Sequence, residues 1–205
     1  MRYSKDGIID RKLNQLAGLI YEDKMQMPVW QTRTGIFLGE EGYADVEEQW
    51  SEIKIGDTWN CYDNLTRWFR TSVTVPEKYD GKMLVLDLEF GGEAIVSVNG
   101  KIVSALTSLI VPAVVTRTRV YLTDCAAAGT VYEISVEAHS HYAEFSHYRK
   151  RGCESIDYTF RTADLAVVNP KAESYYFDIL TAYNAMKVLK NPMEALIKSQ
   201  EKLAE

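Results

Sequence analysis

Apolar positions along this chain change their period twice. In the first stretch Ile9, Leu13, Leu16 and Ile20 recur at helical spacing, and Asp6 stands ahead of them where an N-cap would sit. The spacing predicts a helix over 8–22, with Pro28 closing the segment. From 29 onward the period falls to two. The runs VWQTRTGIFL, RWFRTSVTV, KMLVLDLEF, EAIVSVNG, TRVYLT, TVYEISVEAH and TFRTADLAVV follow one another, separated by turn residues. Short alternating runs with no helical pattern between them predict an antiparallel β-sandwich, not a parallel α/β sheet.

At 169 the period lengthens again. Asn169-Pro170 reads as an N-cap followed by proline at the first helical position. Ala172, Tyr175, Ile179, Tyr183 and Met186 then form one apolar stripe. Asn191-Pro192, with Glu194 at the capping-box position, starts a second helix that runs to Glu205. The pattern divides the chain into a helical lead-in (1–28), a sandwich (29–168) and a helical linker (169–205). A chain that stops inside a helix is expected to be an amino-terminal piece of something longer.

Within the sandwich, 59–101 reads as one unit. WNCYDNLTRWFRTSVTVP is a loop and a strand ending at Pro76, and EKYDGK is a turn. MLVLDLEF is a strand, GGE a break, and AIVSVNGK a hairpin arm turning at Asn99-Gly100. Trp68 and Phe69 fall on opposite faces of their strand. Asn-Gly suits a two-residue type I′ turn, and Gly91-Gly92 permits a bulge or a change of direction.

These elements (W-F-R, V-P, G-K and V-N-G at their spacings) resemble the galactose-binding-like, jelly-roll sandwich at the amino terminus of large sugar hydrolases. Family-2 glycosidases share that skeleton. GGEA before the V-N-G strand, RTADLAVVNPKAESYYFDIL at 161–180, and RKLNQLAGLIY followed by PVW are similar to glycoside hydrolase family 38, the α-mannosidases. The resemblance runs from Arg11 to Leu189. Two stretches depart from it, TSLIVPAVVT and HSHYAEFSHY. The resemblance implies retaining hydrolysis of terminal α-mannosides, with one zinc ion and a catalytic Asp, in a barrel that this chain does not contain. It implies no cofactor for the chain itself.

Composition changes this picture little. Of 205 residues, 46% are hydrophobic and 25% charged, and the formal net charge is −6. That balance gives no electrostatic reason to expect nucleic acid or an anionic membrane as partner. No stretch approaches the roughly 20 apolar residues of a membrane span, and the first residues lack the apolar core of a signal peptide. Cys61, Cys125 and Cys153 are odd in number and far apart, which predicts neither a disulfide framework nor a thiolate zinc site. A cytoplasmic setting is expected.

Candidate chemistry is sparse. Glu137, His139 and His141 share a strand face by two-residue alternation and could in principle ligate a metal, although no third ligand of fixed geometry is visible. A polar, solvent-facing stripe explains them as well. Glu40-Glu41 and Glu47-Glu48 are adjacent residues that point apart, unlike the opposed carboxyls of a glycosidase, and read as solvated. The loop 57–64 gathers Trp59, Tyr62, Asp63 and Asn64, an aromatic plane beside polar acceptors such as a sugar site uses. The same loop could pack on the barrel, whereas Trp68, on a strand, reads as core. No nucleophile elbow, phosphate loop, HExxH or dinucleotide fingerprint is present.

The expectation is therefore a mainly β, non-catalytic accessory domain of an α-mannosidase-like glycoside hydrolase. It would brace its own catalytic domain, possess at most a weak carbohydrate site, and contribute to a homo-oligomer. A free-standing carbohydrate-binding module and a ligand-free structural domain are the alternatives.

Overall fold

A computed structural model describes residues 5–61, 65–108, 117–139 and 156–190. Contacts divide the chain into two units, Met1–Glu22 with Val168–Glu205, and Asp23–Val167.

The first unit is helical. Helix α1 spans Lys5–Ala17, and its Leu13 is buried while Ile9 and Leu16 are half-buried. It ends sooner than its periodicity suggests because Gly18 is a poor helix former. The other α-helix among the described residues, α2, spans Pro170–Lys190. Asn169 caps it, its side-chain oxygen accepting from the Ala172 amide at 3.1 Å. Tyr183 is buried, with the Lys187 ammonium 4.1 Å from its ring centre and 3.8 Å from Asp10 on α1. The apolar stripe follows its expected course at Ala172, Ile179, Tyr183 and Met186, which are buried or half-buried, and departs from it at Tyr175. Tyr176 is half-buried on it, whereas Tyr175 is 58% exposed. The second linker helix, expected from 191, lies outside the described residues.

The second unit is the sandwich. Its strands are β1 (Tyr21–Gln26), β2 (Trp30–Phe37), β3 (Tyr43–Ala44), β4 (Ser51–Ile53), β5 (Thr58–Cys61), β6 (Leu65–Thr74), β7 (Leu84–Glu89), β8 (Gly92–Val98), β9 (Lys101–Ser108), β10 (Arg119–Thr123), β11 (Val131–His139), β12 (Ile156–Thr159) and β13 (Thr162–Val168). One sheet has the order β1-β13-β7-β10. A larger one has the order β3-β2-β6-β11-β8-β9, with β4 also on β2. A separate antiparallel pair joins β5 to β12. All seven expected runs are strands, and Asn99 (φ 50°) with Gly100 (φ 75°) makes the tight turn from β8 to β9. The fold is mainly β and antiparallel, as expected. Strand β1 occupies residues assigned from sequence to the lead-in, because YEDKMQ is too polar to show an alternation.

The core lies between the sheets. On β7, Leu84, Leu86 and Leu88 are fully buried; on β11, Ile134, Val136 and Ala138 are. Aromatic rings fill its centre. Phe90 stacks on Phe160 at 4.6 Å and meets Phe69 at 4.5 Å, while the edge of Trp30 closes on Phe90 at 5.1 Å. Trp30 also donates to the Met27 carbonyl at 2.9 Å. Each such ring removes enough apolar surface from water to contribute roughly 1.5–3 kcal/mol.

Candidate functional site

The loop expected to meet sugar begins on β5, where Trp59 is 1% exposed. Its indole donates to the Phe90 carbonyl at 2.8 Å, and its ring packs edge-on against Tyr158 at 5.2 Å and Phe69 at 5.9 Å. No face of this ring is available for stacking, so the structure makes Trp59 a core residue. The reason is the pairing of β5 with β12, which brings Tyr158 directly opposite Trp59. Tyr62, Asp63 and Asn64 lie outside the described residues, as does His141.

The Gly91-Gly92 break serves the same corner. Both glycines have positive φ, 88° and 67°. A Cβ on Gly91 would lie 2.5 Å from the Cβ of Tyr158, and one on Gly92 would lie 2.9 Å from its ring. The glycines therefore admit β12 as well as bending the strand.

Trp68 departs from its expected place in the core. Phe69 takes the inner face of β6, and Trp68 lies on the outer face, half-buried. Register aligns Arg33, Trp68 and Glu137 across β2, β6 and β11. The Trp68 indole donates to one Glu137 oxygen at 3.1 Å, and the Tyr43 hydroxyl donates to the other at 2.5 Å. Tyr43 and Trp68 meet edge-on at 4.9 Å. Gly35 leaves room for the Trp68 ring, since a Cβ there would lie 2.9 Å from it. His139, one row along, faces the edge of Phe37 at 5.6 Å, with its Nδ1 3.3 Å from the Thr66 hydroxyl. Glu137 and His139 do share a face, but Glu137 is engaged by Trp68 and Tyr43. Among the described residues no group of three or more His, Cys, Asp or Glu side chains gathers for a metal.

On the other side of Trp68 the face is cationic. The Arg70 guanidinium lies 4.0 Å from the centre of the Trp50 ring and that of Arg33 lies 4.7 Å from it, while Arg33 is also 5.4 Å from Trp68. Arg70 donates to the Gln31 side chain at 2.9 Å. Beside them a shallow groove of about 600 Å³ runs past Gln31, Arg70, Ser72, Glu133 and Ser135.

Burial, and then the bond to Glu137, push the Tyr43 phenol up to about 12. Its folded-state value lies above that of a free phenol, so its contribution to stability is complete below about pH 10 and is lost as pH rises through about 12. Glu137→Gln is expected to lower the Tyr43 titration while leaving it above the ordinary range, because burial, the larger cause, persists. NMR of ring-labelled tyrosine measures this; an unchanged Tyr43 titration would contradict the assignment.

A carboxylate pair not expected from sequence lies on the smaller sheet. Asp87 and Asp164 are opposite each other on β7 and β13. Lys24 reaches them at 2.6 and 3.8 Å, and the Thr118 hydroxyl donates to Asp87 at 3.0 Å. Burial, and more weakly Asp87, raise the Asp164 carboxyl, against the pull of Lys24. Each Asp interrupts an otherwise apolar run, LVLDL or ADLAVV, which was the available signal. The bonds to Lys24 and Thr118 give the pair a structural explanation.

The family described as alpha-mannosidase, jelly roll domain (Ams1-like, first domain) matches residues 25–181. No curated protein matches. Among solved structures, the chain is similar to Bacteroides uniformis β-glucuronidase 2, at 18% identity and a TM-score of 0.49, over 71% of this chain and 18% of that one. It is similar to Faecalibacterium prausnitzii β-glucuronidase at 12% identity and 0.48, over 71% and 31%. Ruminococcus gnavus β-glucuronidase follows at 14% and 0.40, over 58% and 22%. The chain spans less than a third of the length of each.

Proposed function

Because the chain belongs to the Ams1-like α-mannosidase jelly roll family, we propose that it is the non-catalytic amino-terminal accessory domain of an α-mannosidase-like glycoside hydrolase. The observation that carries this reading is the family match over 25–181, which takes in the sandwich and the start of α2. The domain braces the catalytic portion, shapes the approach to it and contributes to oligomer contacts. A cytoplasmic setting belongs to the same proposal.

The parent reaction, retaining cleavage of α-mannosides with zinc, is assigned on this reading to the catalytic portion. The residues described here do not fit a zinc site: both Glu137 oxygens accept hydrogen bonds and His139 faces Thr66 and Phe37. Sugar contact, if the domain makes any, falls to Tyr62, Asp63 and Asn64, since Trp59 offers no ring face.

The chain alone is expected to release no product from a chromogenic α-mannoside, with or without added zinc. Turnover that copurifies with it and vanishes in Asp87→Asn or Asp164→Asn would overturn the non-catalytic reading. Titration of mannose followed by amide NMR separates bracing from sugar contact. Shifts confined to 62–64 would establish a weak sugar site, of millimolar order given so few contacts. A spectrum that does not move leaves the bracing role.

A further inference from the structure

Arg33 and Arg70 are placed unusually for two cations on one sheet face. Both stack on Trp50, at 4.7 and 4.0 Å. Neither has a carboxylate partner among the described residues. The Nε of Arg33 is buried and has no hydrogen-bond partner. Three carboxylates of the neighbouring segments are engaged elsewhere. Glu137 accepts from Tyr43 and Trp68, Glu47 accepts from the Thr34 amide at 2.8 Å, and Glu52 pairs with Lys54 at 3.0 Å. Glu133 lines the groove one row beyond Arg70, opposite Ser72, and bounds the cationic patch.

Stacking on an indole holds a guanidinium plane against the ring; with the Arg33 Nε buried and the Arg70 Nε donating to Gln31, the terminal Nη–H groups form the edge left for an anion. That edge matches a carboxylate with two parallel hydrogen bonds. Two like charges sharing one ring repel, and an anion beside them relieves the repulsion. The adjoining groove is open and shallow, walled by Gln31, Ser72 and Ser135, with the exposed side chain of Val29 at one end. Its shape suits an extended chain with polar backbone groups better than it encloses a small molecule.

We propose that the Arg33–Trp50–Arg70 stack and its groove are a docking site for an acidic polypeptide segment, with an Asp or Glu carboxylate gripped by the arginines and the flanking backbone along Gln31, Ser72 and Ser135. If the accessory role holds, the segment belongs to the remainder of the parent enzyme. The chemistry of the site does not depend on that role, and the test below reads the site alone.

Hexaglutamate, hexaglutamine and free glutamate are titrated into the 205-residue chain at low salt by calorimetry. Hexaglutamate is expected to bind with a Kd below about 1 mM, and hexaglutamine and free glutamate at least about tenfold more weakly. Arg33→Gln and Arg70→Gln each weaken hexaglutamate binding about tenfold or more. Arg33→Lys does not restore it, because an ammonium lacks the planar fork. Lys101→Gln, which removes one charge on the exposed hairpin, leaves it unchanged. Equal binding of hexaglutamine would overturn the proposal, as would wild-type affinity in Arg33→Gln, Arg70→Gln or Arg33→Lys. Free glutamate binding as tightly as the peptide would replace a polypeptide surface with a small-carboxylate site. Should the arginine variants fail to fold, the Nε–H resonance of Arg33 in the wild-type chain decides: no shift on adding hexaglutamate overturns the assignment.

Discussion

Gly91→Ala is expected to destabilise the sandwich by about 2–5 kcal/mol, a large part of the stability of a typical domain. Two effects add. The backbone at Gly91 has φ 88°, a conformation that L side chains rarely adopt. The new Cβ would also meet the Cβ and Cγ of Tyr158 at 2.5 and 2.8 Å, close to the backbone of β12, where no flexible side-chain end can give way. Gly129→Ala separates the two effects. Its φ is 82° and nothing lies within 4 Å of an added Cβ, so only the backbone strain of roughly 1–3 kcal/mol applies. Urea denaturation of both variants is the measurement. A Gly91→Ala midpoint no lower than that of Gly129→Ala would refute the close approach of Tyr158.

Trp59→Ala is the second large effect, about 3–5 kcal/mol. The residue is 1% exposed and touches Tyr158 and Phe69, so its removal leaves a cavity between β5 and the core. Trp59→Phe retains most of the packing but withdraws the donor from the Phe90 carbonyl, for about 1–3 kcal/mol. Denaturant midpoints measure both. The result distinguishes core from ligand platform, because a sugar-stacking residue on an exposed loop would change stability by no more than about 0.5 kcal/mol. A Trp59→Ala variant as stable as the parent would return the residue to the sugar site.

The larger strands were legible because each is long enough, with one face dry, for alternation to show. The faces of Trp68 and Phe69 followed from that period, but which face was the core did not. An outer face carrying Trp68 becomes intelligible only with Tyr43 and Glu137, which are 94 residues apart. The short strands β3, β4, β5 and β12 have two to four residues each, too few for any period. Trp59 was misplaced for that reason: its burial depends on a partner strand that begins at Ile156. The Arg33–Trp50–Arg70 stack likewise joins a strand, a loop and a second strand, and no local pattern announces it. The Asn99-Gly100 turn needed no distant partner and was read directly.

Strand β13, the last made among the described residues, lies inside its sheet, between β1 and β7. During synthesis β7 therefore waits for a neighbour whose first residue, Thr162, lies about 70 residues beyond Glu89. At 5–20 residues per second the wait is roughly 4–14 s. Throughout it Leu84, Leu86 and Leu88 lack a flanking strand on that side, and the sheet cannot close. A ribosome-bound chain stopped short of β13 is consequently expected to recruit chaperones and to be cut by protease along its length, with protection gained in one step once β13 is available.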